Sequence, residues 1–329
     1  MKNTVHLRTK LLAVLATVFL SGVGHAQQGK VPRIGYVSTN YASAPGPLVD
    51  SFRQGLRDLG YVEGKNIIVE YRFAEGNDDR MRGLVNELVH LQVDVLVVPT
   101  LDAVRSAKQA TTSIPIVMVV NADPVTTGLV DSLARPGGNL TGVSRLQLQL
   151  SGKRLELLKE TVPRAARVAV LRDPESQAAN IGLKEYESAA PGLKVQVQSL
   201  DVHGPKPDLD GVFRALSKKT DALVTITTTL LFRRQKEIVE LANKQKLPSM
   251  FEGSSWVDAG GLISYSTNDA EVFHRAASYV DKIIKGAKPG DLPVEQPTKF
   301  ELVINMKTAK QIGLTIPPNV LARADKVIK

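Results

Sequence analysis

Cysteine does not occur in the 329 residues, which removes disulfides, thiol nucleophiles, thiolate-bound metals and lipidation of an N-terminal cysteine together. Histidine is nearly as scarce. Past residue 26 only His90, His203 and His274 remain, two on predicted helices and one in a Pro/Gly loop, and none at a strand end where an imidazole would act as base or ligand. Aromatic residues make up 5% of the chain, and Trp256 is the single tryptophan. Past residue 20 no stretch approaches the ~20 apolar residues that cross a bilayer. Residues 142–146 fail the Gly-x-Ser-x-Gly pattern at Leu146, and no Gly-x-Gly-x-x-Gly follows the first strand. The stretch from Gly60 to Lys65 is one residue short of a phosphate loop and lacks the hydroxyl after its lysine. The net charge is +9, or six once the three basic residues of the first 26 are set aside, and it is scattered rather than gathered into a stripe. Nucleic-acid binding, metal or cofactor chemistry and enzyme catalysis are therefore not expected.

What is present begins with a leader. Lys2, Arg8 and Lys10 precede an uncharged run over residues 11–20, and small residues follow up to Gly24-His25-Ala26. This is the pattern of a signal peptide over residues 1–26, expected to be cut after Ala26 and to place the mature chain in the periplasm. Beyond it the chain echoes itself. Arg33-Ile34-Gly35-Tyr36-Val37 returns as Arg167-Val168-Ala169-Val170-Leu171, Val93-Asp94-Val95-Leu96-Val97 as Thr220-Asp221-Ala222-Leu223-Val224, and Ile114-Pro115 as Leu247-Pro248. The offset far exceeds a solenoid period, so the repeated unit is a whole domain.

Within each half, short β-branched strands alternate with amphipathic helices, which predicts an α/β fold with parallel sheets covered on both faces. Two lobes are expected, one from residues 30–143 plus about 258–290 and one from residues 144–257 plus about 291–329. Hinge crossings are expected at residues 140–144, 253–258 and 291–297, where small residues can absorb rotation. Asn268 and Glu271 form a capping box for a helix that stops at Gly286, and residues 318–328 read as a closing helix.

Ligands of open parallel sheets bind beyond the carboxyl ends of the strands. The residues there are small and polar: Ser38, Thr39 and Asn40 after the first strand, Thr100 and Asp102 after the third, Asn121 and Asp123 after the fourth, and Ser144 at the crossing. The second half supplies Asp173 and Glu175, then Thr227, Thr228 and Thr229, then Glu252, Ser254 and Ser255, with Arg145 and Arg172 as sources of positive charge. Such a set suits a small polar or zwitterionic solute, and Trp256, Tyr36, Tyr41 and Tyr265 would favour an aromatic one. Each residue has an ordinary alternative as a helix cap, a turn former or, for the aromatics, core packing.

Several runs carry a resemblance. Ile114-Pro115-Ile116-Val117, Ala122-Asp123-Pro124-Val125, residues 132–144 (Ser-Leu-Ala-Arg-Pro-Gly-Gly-Asn-Leu-Thr-Gly-Val-Ser), residues 260–265 and residues 291–305 resemble the ABC-transporter substrate-binding proteins that include tryptophan- and tyrosine-type binders. The resemblance implies a type I periplasmic-binding-protein-like fold, two Rossmann-like lobes joined by hinge strands, that closes around a solute and presents it to a permease in the inner membrane, and a monomer is expected. It also implies that Thr100, Asp123 with Pro124, Asp173 and residues 227–229 hold the solute. A sensory protein that shows its ligand to a membrane receptor, or an extracytoplasmic enzyme, would share the leader and the lobes.

Overall fold

The computed structural model describes residues 30–39, 46–75, 77–204, 206–216 and 220–329; the expected leader, Asn40 and Tyr41 lie outside them. The first half runs β1 (Arg33–Ser38), α1 (Pro47–Asp58), β2 (Ile68–Phe73), α2 (Asp78–His90), β3 (Val95–Val98), α3 (Leu101–Ala110), β4 (Ile116–Val120), β5 (Leu140–Ser144). The second runs α4 (Ser151–Thr161), β6 (Arg167–Arg172), α5 (Gln177–Ala189), β7 (Gln196–Asp201), α6 (Leu209–Arg214), β8 (Ala222–Thr225), α7 (Thr229–Arg233), α8 (Gln235–Lys244), β9 (Ser249–Phe251), α9 (Ser254–Asp258), β10 (Ile263–Ser266). The chain ends with α10 (Asp269–Ile284), β11 (Glu301–Asn305), α11 (Met306–Ile312), α12 (Pro318–Leu321) and β12 (Lys326–Ile328).

Strands buried on both faces read as unbroken apolar runs, and β3, β4 and β8 are of that kind, with every residue buried. They form two sheets. One has the order β2-β1-β3-β4-β5, and the other contains β7-β6-β8-β9-β10, the same order again, extended by β11 and β12. All pairings are parallel except β10 with β11. The echo in the sequence has a local cause. Asp94, one residue before β3, accepts the Arg33 N–H at 2.7 Å, and Asp221, one residue before β8, accepts the Ala166 and Arg167 N–H groups at 2.9 and 2.8 Å. Each aspartate clips the start of one strand to the start of its neighbour and sets the register.

The chain changes sheets three times. It leaves the first after β5, returns after β10, and passes over again between α10 and β11. The crossing expected at residues 253–258 is instead α9, because Ile263 to Ser266 pair with β9 and β11 in the second sheet and only then does the chain turn back. Asn268 caps α10 by accepting the Glu271 N–H at 3.1 Å. That helix buries Val272, Phe273, Ala276, Ala277, Val280 and Ile283 and packs on α1 and the first sheet. Gly55 makes the approach possible, since a Cβ there would stand 2.5 Å from the His274 carbonyl oxygen. The residues expected as a closing helix split into α12 and the strand β12, which adds to the edge of β11 through Asp325, whose carboxylate accepts the Leu302 N–H at 2.7 Å. A three-residue edge strand has too little periodicity to separate it from a helix in the sequence.

Candidate functional site

The carboxyl ends of the strands from both sheets surround a cavity of about 610 Å³. Its lining includes the residues that precede six helices: Gly46 before α1, Thr100 before α3, Ser176 before α5, Thr228 before α7, Gly253 before α9 and Asn268 before α10. A strand–loop–helix unit must present its helix start where its strand ends, so a duplicated fold brings many helix N-termini together. Unpaired N–H groups and the positive end of the dipole make such a place favourable for an anion.

Several lining residues serve the fold as well. The Thr100 hydroxyl accepts the Ala103 N–H at 3.3 Å, and the Thr228 hydroxyl accepts the Leu231 N–H at 3.4 Å. Both are caps and cavity residues at once. Arg145 stands 3.0 Å from Asp269 and 5.9 Å from the Phe273 ring centroid, so its charge is largely matched already. Glu252 is almost fully buried and pairs with Arg154 at 3.1 Å, while its second oxygen accepts the Thr227 N–H at 2.6 Å. Burial pushes the Glu252 carboxyl upward, and Arg154, the Thr227 N–H and Arg145 pull it back. Asp102, half-buried in the first turn of α3, has no hydrogen bond or ion pair from its carboxylate among the described residues. Three more polar atoms on the lining are buried without a partner among those residues: Asn121 Oδ1, Thr227 Oγ1 and Arg145 Nε. Groups of that kind are rare in folded proteins and cost free energy until something pairs with them.

Part of the wall is apolar or aromatic. Tyr36, Leu48, Leu101, Phe232, Trp256 and Phe273 line it. Trp256 lies flat on Phe251 with ring centroids 4.9 Å apart, so it belongs to the core and to the cavity together. Tyr36 packs against Phe52 at 4.9 Å, and burial drives its hydroxyl well above the usual phenol range.

The model of the family described as ABC transporter substrate binding protein matches residues 44–328. The chain belongs to that family. A tyrosine-binding protein of Clostridioides difficile (strain R20291) is 26% identical over 285 residues, covering 82% of this chain and 78% of that protein. A crystal structure of an ABC domain in complex with L-Trp from Streptococcus pneumoniae is similar with a TM-score of 0.80 at 25% identity, covering 90% of this chain and all of that one. A conserved domain protein from Vibrio cholerae is similar with a TM-score of 0.83 at 29% identity, covering 91% and 100% of the two chains. The fold is that of the type I periplasmic binding proteins.

In this substrate-binding protein eleven of the sixteen strand-end residues singled out in the sequence come together on the cavity, namely Ser38, Thr39, Thr100, Asp102, Asn121, Thr227, Thr228, Thr229, Glu252, Ser254 and Ser255, while Asn40 lies outside the described residues. Four do not line it. Asp123 closes a turn, its carboxylate accepting the Val125 N–H at 2.8 Å and the Thr126 N–H at 3.4 Å. Ser144 is buried behind the wall, its hydroxyl donating to the Ala122 carbonyl at 3.0 Å. Asp173 accepts the Glu175 N–H at 3.0 Å in a similar turn, where burial raises its carboxyl, and the Glu175 side chain is exposed. Arg172 is spent on Asp201 at 2.8 Å, and Tyr265 faces away toward Phe300. Sequence reasoning passed over Gln147 and Thr267 on the first two crossings, and Leu48, Phe232, Asp269 and Phe273 on helices. The capping box at Asn268 was the available signal, since a helix that starts after a strand starts at the ligand rim.

Proposed function

We propose that this protein is the extracytoplasmic solute-binding component of an ABC importer, and that its solute is a zwitterionic amino acid with an aromatic or other large apolar side chain. The observation that carries the reading is a division of chemistry inside one cavity. Helix N-termini offer N–H groups for a carboxylate, Asp102 offers an unmatched negative charge for an ammonium group, and Tyr36, Phe232, Trp256 and Phe273 offer an apolar slot for a ring. The volume of about 610 Å³ is ample for one amino acid. Among the described residues the lining holds one cationic side chain, Arg145, already opposite Asp269, which leaves a dicarboxylate or phosphate no free counter-charge from them. That the relatives include proteins described as binding tyrosine or L-Trp supports the same choice. Delivery to an inner-membrane permease follows from the family's role, and the leader-like first 26 residues support a periplasmic place.

The test is titration calorimetry with L-tryptophan and L-tyrosine beside tryptamine, which lacks the carboxylate, and indole-3-propionate, which lacks the ammonium. The amino acids should bind, and each truncated analogue should bind about tenfold to a hundredfold more weakly, the loss expected for one charge-assisted hydrogen bond. Equal affinity for indole-3-propionate would remove Asp102 from the reading. No binding of either amino acid, with a dicarboxylate or sugar bound instead, would overturn it.

A further inference from the structure

Arg154 lies on α4, the first helix after the chain leaves the first sheet, and its side chain is wholly buried. A buried guanidinium is costly unless its N–H groups are matched. Its partners are all parts of the cavity wall or its supports, although Arg154 itself does not line the cavity. Nε donates to the Tyr265 carbonyl oxygen at 2.7 Å, and Nη1 donates to the Gln147 carbonyl oxygen at 2.5 Å and to Glu252 Oε1 at 3.1 Å. Nη2 donates to the Gln147 side-chain oxygen. These partners stand on three separate stretches: the crossing after β5, the end of β9, and β10 just before the second crossing. Two further bonds carry the connection to the lining. Glu252 Oε2 takes the Thr227 N–H at 2.6 Å, and Gln147 Nε2 donates to Thr267 Oγ1 at 3.2 Å.

We propose that Arg154 is the positioning residue of the binding site. Without touching the solute, its planar guanidinium joins the first two of the three crossings to the Glu252–Thr227 wall and holds the cavity in the geometry that binds. The proposal rests on the reading of the cavity as a solute site. Charge alone would not suffice, because an ammonium group is a point donor without the fork that reaches acceptors on three stretches at once. The pair could have been apolar if filling space were its only task, since a buried ion pair replaced by hydrophobic residues of similar volume commonly folds as well.

Two variants test this against the wild-type protein: Arg154→Lys, which keeps the charge, and the double variant Arg154→Met/Glu252→Met, which removes the pair without leaving a lone buried charge. Three quantities are measured: the melting temperature, amide hydrogen exchange without ligand, and calorimetric affinity for L-tryptophan and L-tyrosine as probes. In both variants residues 145–147, Thr227 and residues 266–268 should exchange faster while β6 and β8 stay protected, and affinity should fall about tenfold or more. The double variant should still unfold in one cooperative transition, at a lower temperature because the Gln147 and Tyr265 carbonyls and the Thr227 N–H lose buried partners. Wild-type affinity in the double variant would overturn the proposal, as would a loss of protection spread evenly over the second sheet. A wild-type protein that binds neither probe would refute the amino-acid reading alone, because the exchange pattern needs no ligand and still decides the part played by Arg154.

Discussion

Asp102 and Asp123 occupy the same rim of the first sheet and do different work. The Asp123 carboxylate is used up by two backbone N–H groups of its own turn, whereas that of Asp102 has no partner among the described residues. Asp123→Ala should therefore cost about 1 kcal/mol of stability, the ordinary worth of a hydrogen bond, with affinity for L-tryptophan unchanged. Asp102→Asn should show the reverse, a melting curve like that of the wild type and a tenfold to hundredfold loss of affinity. Thr100 joins the two kinds. Its hydroxyl caps α3 and lines the cavity, so Thr100→Ala should lower stability by about 1 kcal/mol and weaken binding as well. Calorimetry and thermal melts on the three variants separate these outcomes.

Among the elements, β5 and the segment that crosses beside it are the most constrained. Gly142 holds φ at +133°, and a Cβ at that position would stand 2.1 Å from the Met118 carbonyl oxygen of β4. Gly142→Ala should cost about 3 kcal/mol or more, from a backbone conformation alanine avoids and a contact with backbone that cannot retreat. Denaturant unfolding gives the value, and a loss under 1 kcal/mol would contradict the geometry. Glu295 pairs with the same strand through its backbone and with Arg275 of α10 through two side-chain bonds at 2.7 and 2.8 Å. The Arg275 guanidinium holds the Glu295 carboxyl below the usual glutamate range, against a smaller upward push from burial. A depressed folded value means that the pair's stabilisation is complete above the ordinary glutamate value of about 4.3 and is lost as the pH falls through the folded value. The pair is partly exposed, so its worth stays below about 1 kcal/mol. The wild type should exceed Glu295→Gln in stability by a constant amount above about pH 4.3, and the two should converge as the pH falls below it.

For the whole molecule, the decisive feature is that one strand order occurs twice and the two copies are joined by three crossings. Closure of the two sheets around a solute by rotation about these crossings should appear as a smaller radius of gyration in small-angle scattering with saturating L-tryptophan. Ligand that binds only the folded chain should also raise Tm with its concentration. No compaction with a bound solute would rule out closure and leave a preformed cavity.

Much of this was legible along the chain. Strand–helix alternation, the echo that includes Asp94 and Asp221, the caps at Thr100 and Asn268 and the polar strand ends are set by neighbours in sequence, because periodicity, capping and turn chemistry act within a few residues. What the chain alone did not reveal depends on partners far apart in sequence. Asp102 and Asp173 both follow strands, yet only Asp102 reaches the cavity. The return to the first sheet falls after Ser266 rather than in residues 253–258, and β12 is a strand because β11 offers it an edge. Arg154 is the plainest case. In Lys153-Arg154-Leu155-Glu156 it reads as one more charge on the solvent side of a helix, and only the packing of α4 against the ends of β9 and β10 buries it among acceptors supplied by Gln147, Glu252 and Tyr265.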